Sequence, residues 1–280
     1  MSSIDLPPFV DASWLDARLG AVALADVRWS LDGSEGHHTY LQGHLPGAVY
    51  VDLDTVLAAP PSPEAGRHPL PTPAAFAAGL GAAGIGEDET VIAYDQGPGA
   101  IAARLVWMLR VIGQPAAVLD GGLTGWPGEV VAGEVTRPPV TRRPRPWPAD
   151  RLADAELTAQ LARDPDAVVV DARDPARYRG DDEPIDPRPG HVPGARNRPF
   201  TGNLDAAGRL RPIDELRARF AEVGALDAEE VVAYCGSGVT ACHDVLVLER
   251  LGRTARLFPG SWSAWAADER RAAALGPDPG

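Results

Sequence analysis

The chain of 280 residues contains no lysine, and all 26 of its basic residues are arginine. This absence excludes a Schiff-base lysine and the lysine of a phosphate-binding P-loop. Its two cysteines, Cys235 and Cys242, are too few and too close in the chain for a disulfide framework. No apolar run approaches the roughly 20 residues of a membrane span, and the first residues lack the pattern of a signal peptide. We therefore expect a cytoplasmic protein in a reducing compartment.

The charge of the chain limits its partners. The net charge of −13 disfavours nucleic acid and anionic membrane surfaces. The arginines are unevenly distributed, with 5 in residues 1–131 and 17 in residues 151–280. The second half is therefore the better host for an anionic substrate. The six histidines and two cysteines show no metal-ligand spacing, so no metal site is expected.

Four short motifs occur twice, in the same order. They are an apolar strand ending in Asp-x-Arg at 24–28 and 168–173, Gly-His-x-Pro-Gly-Ala at 43–48 and 190–195, a second apolar strand at 91–95 and 231–235, and a Gly/Trp motif at 121–126 and 260–265. A repeat of this length indicates two copies of one domain rather than a solenoid. The Asp-x-Arg pairs are interpreted as structural residues that fix the loop after each strand.

The repeat sets the predicted domain boundaries. Residues 1–131 form the first domain, and residues 151–280 form the second. Residues 132–150 are rich in proline and arginine and are typical of an extended linker. Within each copy, short Val/Ile/Leu runs alternate with helical segments, which predicts an α/β fold with a mostly parallel sheet and helices on both faces.

Cys235 lies where the chemistry is expected. It follows the apolar strand 231–234 and precedes a glycine-rich turn and a helical segment. A cysteine between a strand end and a helix N-terminus meets converging backbone N–H groups, which favour the thiolate form. A thiolate is a nucleophile. Gly236 and Gly238 allow the backbone to curl around the sulfur without a Cβ clash.

Together these motifs resemble the rhodanese family, specifically the two-domain sulfurtransferases. The resemblance extends from Asp26 to Trp265 and implies two tandem rhodanese-like domains. It also implies a non-catalytic first domain, because Asp95 occupies the cysteine position there. The catalytic domain is the second, and its six-residue active-site loop consists of Cys235, Gly236, Ser237, Gly238, Val239 and Thr240.

The family implies a two-step covalent transfer. The Cys235 thiolate would attack the outer sulfur of a small anionic donor and hold that sulfur as a persulfide. A thiol such as thioredoxin or glutathione, or cyanide, would then accept it. Loop amides would stabilise the anionic sulfur, and no metal or organic cofactor is implied. A monomer is expected, since two domains joined by a short linker can form the cleft within one chain.

The loop also bears on the donor. Its sequence resembles the 3-mercaptopyruvate sulfurtransferase version, whereas thiosulfate enzymes usually have basic residues inside the loop. Neutral Gly236 and Ser237 would suit a donor with a carboxylate and a keto group. Ser237 matches the serine of a proton relay in that family, with His44 as its histidine and Asp32 as a third member.

Those enzymes typically bind the donor carboxylate with two arginines. Arg177 matches the first of them. The position of the second falls near Asp186, in a segment that is shorter than the family pattern. Either Arg188 substitutes for it or the site is altered, and the departure at Asp186 leaves the donor open.

Three alternatives remain to be compared with this prediction. One is a rhodanese that prefers thiosulfate. Another is a persulfide-relay module that receives sulfur from a protein partner and does not turn over a small donor. The third, a cysteine-dependent phosphatase, is disfavoured because its loop would be one residue longer and end in arginine, whereas position 241 is Ala.

Overall fold

The computed structural model describes residues 6–30 and 35–280, and these residues form two compact units. Unit 1 contains the described residues up to 59 together with 70–147 and 205–210. Unit 2 contains residues 60–69, 148–204 and 211–280. Two segments therefore depart from the boundaries predicted at 131 and 151: segment 60–69 packs in unit 2, and segment 205–210 packs in unit 1.

Unit 1 contains a five-stranded sheet in the order β1-β5-β4-β2-β3, and all four pairings are parallel. Its elements, in chain order, are β1 (Phe9–Val10), α1 (Ala12–Asp16), β2 (Ala23–Asp26), α2 (Gly36–Gln42), β3 (Val49–Tyr50), α3 (Pro73–Ala82), β4 (Val91–Tyr94), α4 (Ala102–Val111) and β5 (Ala116–Leu119). Strands β2, β4 and β5 are buried at every residue, as expected of a sheet covered on both faces.

Unit 2 contains a four-stranded parallel sheet in the order β7-β6-β8-β9. Its elements are α5 (Ala155–Leu161), β6 (Ala167–Asp171), α6 (Pro175–Arg179), β7 (Arg196–Asn197), α7 (Ile213–Ala221), β8 (Glu230–Tyr234), α8 (Ala241–Arg250), β9 (Arg256–Leu257) and α9 (Ser261–Ala267), with 3-10 turns at Ala149–Arg151 and Phe200–Asn203. Strand β8 lies inside the sheet and pairs with both β6 and β9. The predicted α/β fold class is confirmed.

The Asp-x-Arg pairs hold the Gly-His turns in place. Arg173 Nη2 donates to Asp171 Oδ2 at 2.6 Å and to the carbonyl of Gly190 at 2.7 Å. Arg28 and Asp26 make the equivalent pair in unit 1 at 2.7 Å. These buried ion pairs use their remaining hydrogen-bonding capacity on backbone, which offsets part of their desolvation cost. Their contacts agree with the structural role inferred from the sequence.

Equivalent tyrosines tie each central strand to its Gly-His turn. The backbone N–H of Leu45 donates to Tyr94 Oη at 3.0 Å, and that of Val192 donates to Tyr234 Oη at 3.1 Å. Both tyrosines are fully buried and immediately precede the positions of Asp95 and Cys235. The same scaffold thus places a carboxylate in unit 1 and a thiol in unit 2.

The proline-rich segment after β5 is extended and packs along unit 1. The backbone N–H of Val140 donates to the carbonyl of Gly81 at 2.9 Å. Arg142 Nη1 donates to the carbonyl of Ile85 at 2.9 Å, and Trp147 Nε1 donates to the carbonyl of Pro71 at 2.8 Å. These three residues donate hydrogen bonds to carbonyls of unit 1. The prolines of the segment cannot do so, because proline has no backbone N–H.

Candidate active site

Cys235 lies at the carboxyl end of β8, an inner strand of the unit 2 sheet. This is the edge at which parallel α/β sheets place their ligands. Cys235 is a free cysteine and is 2 % exposed. The loop 235–240 that follows leads directly into α8, whose first residue is Ala241. The strand–cysteine–helix arrangement inferred from the sequence is therefore present.

The loop curls so that a backbone amide meets the sulfur. The N–H of Gly238 donates to Cys235 Sγ at 3.2 Å. Gly238 has a φ of +76°, and an added Cβ would collide with the carbonyl oxygen of Pro259. A glycine is required there both by the backbone conformation and by the lack of space. Val239 and Thr240 complete the turn, and their carbonyls accept the first helical N–H groups of α8.

The first residues of α9 form hydrogen bonds with the loop 235–240. The N–H of Cys235 donates to Ser261 Oγ at 3.0 Å, and Ser261 Oγ donates to the carbonyl of Phe258 at 3.0 Å. The N–H of Trp262 donates to the Cys235 carbonyl at 3.0 Å, and that of Ser263 donates to the Gly236 carbonyl at 2.9 Å. The N–H and the carbonyl of Cys235 are thus both held by residues of α9, and these contacts fix the position of its sulfur.

Ser261 is held in a strained conformation. It is the only non-glycine residue with positive φ in the described part of the chain, with φ of 51°, and it is fully buried. Such strain persists only where the surroundings impose it, and it often occurs at functional sites. The Gly/Trp motif at 260–265 contained the signal for this residue, because the serine lies between its glycine and its first tryptophan.

Segment 60–69 brings a histidine to the loop. His68 Nδ1 lies 2.8 Å from Ser237 Oγ, within hydrogen-bonding distance. The segment is anchored by Gly66, whose φ is +87° and whose added Cβ would lie 2.6 Å from the carbonyl oxygen of Gly260. The next N–H, of Arg67, donates to Ser263 Oγ at 3.1 Å. The histidine beside Ser237 is therefore His68, which sequence reasoning missed.

His44, predicted as the relay histidine, has other contacts. It belongs to unit 1 and is fully buried. Its Nδ1 lies 2.9 Å from the carbonyl oxygen of Leu45, and its Nε2 lies 2.9 Å from that of Gly133. Both ring nitrogens are thus occupied by backbone, which gives His44 a structural role. Asp32, predicted as the third member, lies outside the described residues.

Two guanidinium groups lie over Gly236, the residue that follows Cys235. A Cβ built on Gly236 would lie 3.0 Å from Arg67 Nη2 and 3.2 Å from Arg177 Nη1. Arg67 Nη1 pairs with Asp186 Oδ1, and Arg177 Nη2 donates to Asp186 Oδ2 at 2.9 Å and to Glu183 Oε1 at 2.6 Å. The predicted Arg177 therefore reaches the loop, and Arg67 is a second arginine that the sequence did not indicate.

Arg188 does not take the place predicted for it. Its Nε donates to the carbonyl of Ala266 at 2.8 Å, and its Nη2 donates to those of Trp265 and Asp268 at 3.1 and 2.9 Å. Its Nη1 donates to the carbonyl of Arg271 at 2.9 Å. These contacts satisfy carbonyls at the C-terminal end of α9. The prediction that Arg188 binds the donor is therefore replaced by a helix-capping role.

The equivalent loop in unit 1 surrounds a carboxylate. Asp95 Oδ1 accepts from the N–H groups of Gly97 and Gly99 at 3.0 and 2.9 Å. Asp95 Oδ2 accepts from Ile101 and Ala102 at 2.9 and 3.3 Å. Four backbone N–H groups thus converge on a single negative side chain. In unit 1 the strand end therefore gathers backbone N–H donors around a carboxylate, and at the equivalent position in unit 2 the N–H of Gly238 donates to Cys235 Sγ.

Within ranges 6–30 and 35–280, no group of three or more His, Cys, Asp or Glu side chains could hold a metal ion. No helix there is both long and apolar enough to cross a membrane.

Comparison with known proteins also divides the chain into two similar domains. A rhodanese-like domain model matches residues 11–129 and again residues 154–268. A probable 3-mercaptopyruvate sulfurtransferase of Pseudomonas aeruginosa is 43% identical over 99% of this chain and 100% of its own length. A putative thiosulfate sulfurtransferase of Mycobacterium tuberculosis, SseB, is 41% identical over 89% of both chains.

A solved structure gives the same result. The crystal structure of SseA from Escherichia coli, described as a 3-mercaptopyruvate sulfotransferase with a rhodanese fold, superposes with a TM-score of 0.80 at 32% identity. The match covers 91% of this chain and 99% of that one. The chain therefore belongs to the rhodanese family, as a two-domain sulfurtransferase.

Proposed function

We propose that this protein transfers a sulfur atom from 3-mercaptopyruvate to a thiol or to cyanide through a persulfide on Cys235. The observation that carries this proposal is the pair of guanidinium groups, from Arg67 and Arg177, over Gly236. They lie beside the nucleophile, outside a loop that has no charged residue of its own. A carboxylate is a natural ligand for two such groups.

The donor would bind with its carboxylate toward the arginines and its sulfur toward Cys235. Binding in this way converts the attack of one sulfur on another into an effectively unimolecular step. Ser237 belongs to the loop, and its Oγ lies 2.8 Å from His68 Nδ1. These two side chains would move the proton that the reaction requires. Neither the binding of the donor nor the proton transfer needs a metal or an organic cofactor.

In the first step the Cys235 thiolate attacks the donor sulfur, so that an S–S bond forms and the donor C–S bond breaks. The electron pair of the broken bond goes to the leaving carbon, which is released as the enolate of pyruvate. The proton of the donor thiol passes to that carbon by way of Ser237 and His68. The products are pyruvate and a Cys235 persulfide anion, which the Gly238 N–H is positioned to stabilise.

In the second step an acceptor thiolate or cyanide attacks the outer sulfur of the persulfide. The S–S bond of the persulfide breaks, and its electron pair returns to Cys235 as a thiolate. With a thiol the product is a persulfide or, after a second thiol attacks, a disulfide and sulfide. Thioredoxin, glutathione and cyanide are the proposed acceptors.

The test is kcat/KM for 3-mercaptopyruvate and for thiosulfate with a common acceptor, measured side by side. A preference for 3-mercaptopyruvate is expected, together with a protein one sulfur atom heavier in the intact mass spectrum after donor alone is added. Cys235→Ser is the control and should lose both signals while keeping the far-UV circular dichroism of the wild type. Turnover by Cys235→Ser would refute the assignment of the nucleophile.

A second candidate is a thiosulfate-preferring rhodanese. The 41% identity to a putative thiosulfate sulfurtransferase favours it. A higher kcat/KM for thiosulfate would support this reading. Turnover of neither donor would support the persulfide-relay alternative, in which Cys235 receives sulfur from a protein partner.

We also propose that the first domain, residues 1–131, is non-catalytic, that residues 132–150 act as the linker, and that residues 151–280 form the catalytic domain. Asp95 at the cysteine position supports the first of these assignments. A monomer in the cytoplasm is proposed. Neither Cys235 nor Cys242 forms a disulfide, which supports the proposal of a reducing compartment.

A further inference from the structure

Two buried carboxylates contact the arginines at the active-site loop. Asp186 bridges Arg67 and Arg177, and its side chain is 3 % exposed. Glu183 lies 2.6 Å from Arg177 and is 4 % exposed. The arginine side chains are more open, at 29 % for Arg67 and 17 % for Arg177. The acids are therefore covered, while the guanidinium groups remain accessible.

These contacts cancel the positive charge of the site. Arg67 and Arg177 contribute two positive charges, and Glu183 and Asp186 contribute two negative ones. A third arginine, Arg173, adds no free charge because it forms the buried pair with Asp171 described above. A donor that approaches Cys235 thus meets directed N–H groups in a local environment without net positive charge.

The contacts also limit how many N–H groups face the loop. Asp186 takes Arg67 Nη1 and shares Arg177 Nη2 with Glu183. The atoms nearest Gly236 are the other terminal nitrogen of each guanidinium, Arg67 Nη2 and Arg177 Nη1. Among the described residues neither of these two atoms has a hydrogen-bond partner. One N–H edge from each arginine is left for a ligand.

We propose that Asp186 is a specificity-determining residue that makes the donor site selective for singly charged donors over doubly charged ones. One carboxylate can bind across the two open N–H edges, and a keto group adds no charge. Thiosulfate brings a second negative charge, which the site does not balance and which Asp186 repels. This inference rests on the proposed function, because it concerns the donor of the same reaction.

The environment of Asp186 supports this role. Burial raises the pKa of its carboxyl, and Glu183 adds to the effect, while Arg67 and Arg177 lower it. The ionised carboxylate therefore depends on the two arginines for its stability. A ligand that draws the arginines away with a second negative charge weakens those contacts and leaves Asp186 less well paired. A ligand with one negative charge weakens the contacts between Asp186 and the arginines to a smaller extent.

The test measures binding without turnover. In the Cys235→Ser background, dissociation constants for thiosulfate and for pyruvate are compared by calorimetry with and without Asp186→Asn. Because Coulomb energy scales with the ligand's charge, removal of the repelling charge should tighten thiosulfate binding by about the square of the factor for pyruvate. We expect the selectivity between the two ligands to shift toward thiosulfate by about tenfold or more.

A matched control has the same change in net charge. Asp182 is exposed in the same loop, and Asp182→Asn should leave both dissociation constants within about twofold, since exposed charges are screened. If Asp186→Asn does not fold, Asp186→Ser provides a second neutral side chain. An equal change for both ligands, or the same shift in Asp182→Asn, would overturn the proposal.

Turnover provides the second readout. With Cys235 intact, Asp186→Asn should raise the ratio of kcat/KM for thiosulfate to that for 3-mercaptopyruvate by about tenfold or more. An unchanged ratio in an enzyme that uses 3-mercaptopyruvate would overturn the role of Asp186 and leave the proposed function standing. A wild type that turns over neither donor would refute the proposed function, and the binding experiment would still decide the role of Asp186.

Discussion

Replacement of Asp95 by alanine tests whether the loop at the strand end is built to surround an anion. In unit 1 the Asp95 carboxylate accepts four backbone N–H groups at 2.9–3.3 Å and is 4 % exposed. Alanine removes the acceptor and leaves those N–H groups facing each other. The loop cannot pair them within itself, because they all point to the same place.

The magnitude follows from those four contacts. A hydrogen bond to a charged group contributes about 1.5–3 kcal/mol, and a buried unsatisfied N–H costs about 1–3 kcal/mol. The contributions are not additive, and water can enter the space that alanine leaves. We therefore expect Asp95→Ala to lower the free energy of unfolding by about 3 kcal/mol or more. Asp95→Asn should lose about half as much, since its amide oxygen can replace one carboxylate oxygen.

The assay is urea denaturation followed by circular dichroism, with hydrogen exchange at the amides of residues 97–102 as a local readout. The exposed Asp88 provides a matched control, and Asp88→Ala should change the free energy of unfolding by less than about 0.5 kcal/mol. Sulfate should restore part of the lost stability in Asp95→Ala by occupying the vacated position. A loss below about 1 kcal/mol, with no effect of sulfate, would refute the reasoning.

Three further predictions concern the candidate active site and a buried carboxylate. Arg177→Ala should raise the donor KM about tenfold, whereas Arg188→Ala should lower the Tm and leave KM unchanged. A raised KM in Arg188→Ala with an unchanged KM in Arg177→Ala would assign donor binding to Arg188 instead. His68→Ala should lower kcat by about 10²-fold or more, and His44→Ala should act on stability rather than on kcat; equal kcat losses would contradict this. Burial raises the pKa of Asp244 to about 8, so between its unfolded pKa of about 3.9 and pH 8 the folded state binds more protons than the unfolded state. Stability should therefore fall as pH rises through that range, and urea denaturation should show Asp244→Asn gaining stability near pH 8 but not below pH 4; a gain that is independent of pH would exclude this cause.

The loop 235–240 was predictable because its determinants are local. An apolar strand, a cysteine, two glycines and a helix follow one another in a continuous stretch. The conformation of Gly238 and the contact of its N–H with Cys235 Sγ arise within four residues. The Asp-x-Arg pairs were equally readable, because each joins neighbours in the chain that both follow a buried strand.

His68 and Arg67 were not predictable by the same reasoning. The repeat was the main guide, and it selects residues that both copies need for the fold. A side chain that serves one active site need occur only once, and the stretch 66–69 has no counterpart in the second half. His44 was selected because it matched the first-domain histidine of the resembling family. It belongs to a repeated motif, and such repetition is typical of a structural role.

Arg188 illustrates a different limit. An arginine near a site can bind a substrate or satisfy backbone carbonyls, and its sequence neighbourhood is the same in both cases. The carbonyls that Arg188 contacts come from the end of α9, more than seventy residues later in the chain. Only the folded arrangement shows which partner uses the guanidinium.

The sequence by itself determined the two-domain α/β architecture and the place of Cys235 in a glycine-rich loop between a strand and a helix, because the motifs occur twice and because hydrophobic period and glycine positions act over short distances along the chain. Apart from Arg177, only the tertiary structure showed which charged side chains surround that loop. Segment 60–69 leaves the first half of the chain to pack in unit 2, and it places His68 beside Ser237 and Arg67 beside Asp186. Charge balance at a site depends on distances in space, and the order of residues does not encode those distances directly.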